Sequence, residues 1–79
     1  MNTDSIKRFP VLSFFEYEHL PPVLKAISQP NAELAERMAD LLSASASPAE
    51  VAAGLRKLLE AKDCFVRAGL PVPGKPIKP

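Results

Sequence analysis

Residues 47–71, SPAEVAAGLRKLLEAKDCFVRAGLP, decide the fold. The stretch reads as one helix punctuated at both ends. Ser47-Pro48-Ala49-Glu50 has the spacing of a capping box with proline at the first helical position, so the Ser47 hydroxyl is expected to accept a first-turn amide proton while Glu50 reaches back. Ala68-Gly69-Leu70-Pro71 is the matching stop, with Gly69 expected in the left-handed turn and Pro71 preventing continuation. On a helical wheel, Val51, Leu55, Leu58, Leu59, Phe65 and Val66 cover one side. Ala52, Gly54, Ala61 and Ala68 widen it to about 200°, against the ~100° stripe that one partner helix needs. Two apolar sides imply two partners: a neighbouring helix and another subunit. Gly54 costs about 1 kcal/mol relative to alanine inside a helix, which predicts a close helix crossing there.

Upstream, the spacing predicts a helix over 31–43, with Leu34, Met38, Leu41 and Leu42 as its apolar stripe, Ala35 at its flank, and Glu33, Glu36 and Asp40 on the opposite side. The connector Ser43-Ala44-Ser45-Ala46-Ser47 is short enough to make the two helices antiparallel neighbours. Leu20-Pro21-Pro22 opens a shorter helix to about Ile27, and Gln29-Pro30-Asn31 is expected to end it. With its partner helix this short, the long helix should overhang past Glu60, leaving Phe65 and Val66 for other cover. Phe9 to Tyr17 is aromatic and irregular, and Pro10 weakens a strand there; it reads as an extended arm that packs on the helices or on a neighbouring chain. The chain is thus expected to be a single all-α domain over 1–79, with a disordered start (1–8), the aromatic arm and short helix (9–28), a helical hairpin (29–69) and a Pro-rich tail (70–79).

A chain of 79 residues makes a thin core, and small domains often add disulfides, metals or subunits. One cysteine (Cys64) cannot form an internal disulfide, and with one histidine (His19) it cannot complete a structural zinc site. Oligomerisation is the device left. Net charge is +1, which gives no electrostatic footprint for DNA or a membrane surface. No apolar run approaches the ~20 residues of a membrane span. Residues 1–5 lack the basic-then-apolar order of a signal peptide, so a cytoplasmic protein is expected.

Catalytic machinery is not legible: there is no P-loop, no paired Cys/His and no metal-ligand spacing, and no cofactor is implied. His19 has no accompanying nucleophile. Tyr17 and His19, beside two prolines, offer flat faces for stacking on bases, at ~1–3 kcal/mol per base; the other reading is an arm that plugs an apolar groove. Lys62 falls in the middle of the apolar side of the long helix. Either its stem packs and its ammonium reaches solvent at a subunit edge, or it is a cation held for an anionic ligand. Arg56, Glu60, Asp63 and Arg67 share the polar side.

Three features together resemble a known family. They are Phe15-x-Tyr17-x-His19-x-Pro21-Pro22, then Leu34-Ala35, then Pro48-x-Glu50 leading into Gly54-Leu55-Arg56-Lys57-Leu58-Leu59-Glu60-Ala61. Over residues 14–68 this is similar to the hairpin domain of phage anti-CBASS and anti-Thoeris sponge proteins. The resemblance implies small helical oligomers, commonly homohexamers, in the cytoplasm of an infected bacterium. These would bind cyclic di- or trinucleotides, or cyclic ADP-ribose-type signals, without cleaving them, and so keep host defence inactive. It implies ligand contacts at Tyr17, His19 and Pro21, with Lys57 in the matching second-helix run. A pocket at a subunit boundary would draw on Lys25, Arg56 and Lys62 for charge. The turn here carries an added acid, Glu18, and Ala32 stands where the family has a basic residue. The alternative is a small oligomeric interaction module that inhibits a host protein through its aromatic arm.

Overall fold

A computed structural model describes residues 3–70, without the side chains of Thr3 and Ser5. Every regular element among them is helical: α1 (Thr3–Arg8), a 3-10 helix (Pro10–Phe15), α2 (Pro22–Leu41) and α3 (Pro48–Ala68). α2 and α3 form an antiparallel hairpin, and the 3-10 helix packs on both, with α1 folded against it. The Pro-rich tail expected over 70–79 lies, beyond Leu70, outside the described residues.

The hairpin differs from expectation in one decisive way. Pro30 does not separate two helices; α2 runs through it for 20 residues. Proline removes one backbone donor and crowds the preceding turn. The carbonyl that loses its donor is that of Ala26; one residue on, the Asn31 side-chain amide donates to the Ile27 carbonyl at 2.9 Å. Because α2 is continuous, it nearly matches the 21 residues of α3, and no overhang past Glu60 remains. Val66 is half-buried, and Leu24 and Ile27 of α2 reach Gly69 at the far end of α3.

The two ends of α3 lie where the sequence puts them, by other means. Ser47 makes no side-chain cap. Its carbonyl accepts from the Glu50 and Val51 amides at 3.1 and 3.3 Å, while its own amide donates to Ser45 Oγ at 3.0 Å. Gly69 is right-handed (φ −83°, ψ −6°) rather than left-handed. Its amide closes the helix onto the Phe65 and Val66 carbonyls, both at 3.0 Å. What residue 69 requires is space, since a Cβ there would collide with Ile27 Cδ1.

The aromatic segment is wound, not extended. Phe9, Leu12 and Phe15 recur every third residue, the period of a 3-10 helix, so all three fall on one side and all three are buried. The Leu12 amide donates to the Phe9 carbonyl at 3.0 Å, and Ser13 Oγ donates to the Pro10 carbonyl at 2.9 Å. Residues 3–8, expected to be disordered, form α1, whose Ile6 packs on the same core.

This segment inverts the phase of α2. Its buried residues are Ser28, Ala32, Ala35 and Ala39, not the leucine stripe. Small side chains let the bulky 3-10 helix approach closely, and the aromatic rings supply the volume. Leu34, Leu41 and Leu42 consequently stay exposed. On α3, Val51 and Leu55 are buried, while Leu58 and Leu59 pack partly against them. Gly54 marks no crossing among the described residues, none of which lies within 4 Å of where its Cβ would stand.

Candidate functional site

The turn between the 3-10 helix and α2 carries the expected aromatic and histidine. The Leu20 amide donates to the Tyr17 carbonyl at 3.0 Å, and Pro21 leads into α2, whose first bond runs from the Lys25 amide to the Pro21 carbonyl at 2.8 Å. Pro22 suits the first helical position, where its missing N–H is not needed. Tyr17 is half-buried against the core, and His19 and Pro21 are exposed.

Tyr17 lines a cleft of about 70 Å³ with Phe15, Ala32 and the carboxylate residues Glu16, Glu18, Glu33 and Glu36. That volume falls well below the roughly 300 Å³ at which small-molecule sites begin. Its rim is acidic, which opposes a phosphate. Glu33 and Glu36 were expected on the outer side of their helix. With the alanine face turned inward, their flank meets the Tyr17 turn instead.

The candidate cations do not converge on this turn. Lys25 pairs with Glu18 at 3.2 Å, a partly exposed pair at the turn itself. Lys62 is committed elsewhere: its ammonium donates to the Phe14 carbonyl at 3.2 Å and pairs with Asp63 at 2.9 Å, and its side chain is only 12% exposed. Through the Phe14 carbonyl it fastens α3 to the 3-10 helix. Arg56 and Lys57 are exposed on α3. No group of three or more metal-ligating side chains occurs among the described residues. Cys64 is exposed, with Arg67 Nη2 donating to its Sγ at 3.3 Å.

Two further features are apolar: one lies in the aromatic arm that the sequence offered as an interaction surface, and the other, a groove, it did not point to. Phe14 is 66% exposed beside a fully buried Phe15. A groove of about 210 Å³ also opens between the loop-side ends of α2 and α3, edged by Met38 and Leu42 on one helix and Gly54 and Leu58 on the other. The three-residue recurrence of Phe9, Leu12 and Phe15 was the signal that sorts Phe14 outward. No helix among the described residues is long and apolar enough to cross a membrane. The chain matches no protein-family model, no curated protein and no solved structure in comparisons of sequence and fold.

Proposed function

We propose that this chain is a small non-catalytic interaction module that engages another protein through the exposed part of its aromatic segment. One observation carries the reading. Phe14 presents a phenyl ring to solvent from a backbone that is already fixed, by the Lys62 ammonium on its carbonyl and by buried Leu12 and Phe15 on either side. A pre-ordered aromatic is the usual anchor of a protein interface, because little conformational entropy remains to be lost on binding. The test is affinity capture from a bacterial host lysate with wild-type chain and Phe14→Ala in parallel. A partner retained equally by both removes this reading.

A second reading keeps the chain as a sponge for cyclic oligonucleotide signals, assembled as a homo-oligomer such as a hexamer. Half-exposed Tyr17, with His19 exposed two residues on, favours it as a stacking platform. The acidic cleft requires that the phosphates be met from outside this turn, by Arg56 and Lys57 of an adjacent copy. Calorimetry with a panel of cyclic di- and trinucleotides separates the two. Heat with one of them, lost in Tyr17→Ala, favours the sponge; silence from a folded oligomer sinks it.

A further inference from the structure

We propose that the outer face of the hairpin is the seam of an antiparallel two-fold pair of this chain, with Leu34 on the axis. The proposal goes beyond the proposed function and names a contact between two copies of the chain.

The spacing along α2 is symmetric. Pro30 and Met38 lie four residues either side of Leu34, and Ile27 and Leu41 lie seven either side. These five recur on average about every 3.5 residues, the period of a helix–helix seam. Leu34 is 45% exposed and Leu41 68%, Pro30 is exposed, and Ile27 and Met38 are half-buried. A two-fold axis through Leu34 sets Ile27 against Leu41 and Pro30 against Met38, each twice, and Leu34 against itself. An isologous interface requires such self-complementarity, and a heterologous partner does not.

The same axis answers a separate feature of α3. Leu42 and Val51 line one groove at the loop end, and Leu24 approaches Gly69 at the open end, so Leu34 stands level with α3 near Leu59. Reversal about that level brings Phe65 of one copy over Gly54 of the other. Phe65 is 56% exposed, and Gly54 has open space above it in the apolar groove. A ring without a socket and a socket without a ring thus occupy one face, at heights that the α2 symmetry makes coincide.

Size agrees. Two helices about 30 Å long, packed side by side at the usual 8–10 Å separation, present a face of roughly 600 Å² per copy. Paired, that is about 1,200 Å², the lower bound for a stable specific interface.

The test is multi-angle light scattering of the full chain from micromolar to hundreds of micromolar, with circular dichroism to report folding. Wild type is expected at twice the chain mass or an even multiple of it. Leu34→Glu is expected to keep its helicity and lose the pair contact. At Gly54 an added Cβ meets no described atom of its own chain, so Gly54→Leu places its branch in the socket and is expected to weaken association at least tenfold. In a Cys64→Ser background, Leu34→Cys is expected to cross-link to a dimer on mild oxidation. A monomeric wild type throughout overturns the proposal and leaves the face open or covered by a different protein. So does an assembly that survives both Leu34→Glu and Gly54→Leu, or one whose Leu34→Cys variant does not cross-link. Should Leu34→Glu fail to fold, Gly54→Leu and the cysteine variant still decide. Failure of Phe14→Ala to lose a protein partner bears on the proposed function and leaves this contact standing.

Discussion

The Lys62 ammonium donates to the backbone carbonyl of Phe14 at 3.2 Å, a hydrogen bond that joins residues 48 positions apart in the chain. It is the described side-chain hydrogen bond that ties the 3-10 helix to α3. Lys62→Met keeps the stem and removes the donor. It is expected to cost about 1 kcal/mol in urea denaturation, the net worth of one such bond whose acceptor can turn to water. A loss of affinity for an anionic ligand with unchanged stability would instead return Lys62 to a binding role.

Phe14 and Phe15 are adjacent and should behave oppositely. Phe15→Ala opens a cavity in a fully buried site and is expected to cost about 3–5 kcal/mol, a large share of the stability of a domain this size. Phe14→Ala removes an exposed ring and is expected to stay within about 0.5 kcal/mol. Thermal melts of the two variants check the pair.

Ser28 is buried on the small-residue face of α2, and its hydroxyl has no hydrogen-bond partner among the described residues. An unsatisfied buried hydroxyl costs about 1–3 kcal/mol, and alanine at that site also has the better helix propensity. Ser28→Ala is therefore expected to raise stability by about 1 kcal/mol, read as a higher midpoint in denaturant. A lower midpoint would mean that the hydroxyl has a partner in solution.

Pro30 sits inside a continuous helix, where proline is about 3 kcal/mol less favourable than alanine. Pro30→Ala is expected to stabilise the chain by about 1–3 kcal/mol, because the substitution restores the missing amide donor to the Ala26 carbonyl. Were α2 two helices meeting at residue 30, the substitution would change helicity more than stability. Far-ultraviolet circular dichroism beside the melt distinguishes these.

Much of the hairpin was legible, because α3 carries strong local signals. Pro48 and Gly69 bracket it, and Val51 and Leu55 face inward as their spacing demands. The end geometries were not legible, since Gly69 answers to Ile27, a residue far away in the chain. The phase of α2 departs from its sequence pattern for a physical reason. Bulky apolar residues ordinarily mark the buried side of a helix, whereas Ala32, Ala35 and Ala39 are buried because the aromatic segment brings its own bulk to them. The leucine pattern therefore points Leu34 and Leu41 toward the core and Glu33 and Glu36 away from the Tyr17 turn, the reverse of their positions in the fold. Among the candidate site residues, the structure sets Tyr17, His19 and Pro21 on one turn with Lys25 paired to it from α2, while Lys62 reaches the Phe14 carbonyl and Arg56 and Lys57 stay exposed on α3. The surplus apolar surface expected of α3 lies largely on α2.

The winding of Phe9, Leu12 and Phe15 onto an alanine floor makes residues 3–15 a ligand that the hairpin carries on a leash. Such a tethered peptide is present at an effective concentration in the millimolar range, so it holds its site without needing high intrinsic affinity. A free peptide of the same sequence would have to reach that concentration to displace it. Deprived of it, the hairpin would leave its alanine floor uncovered.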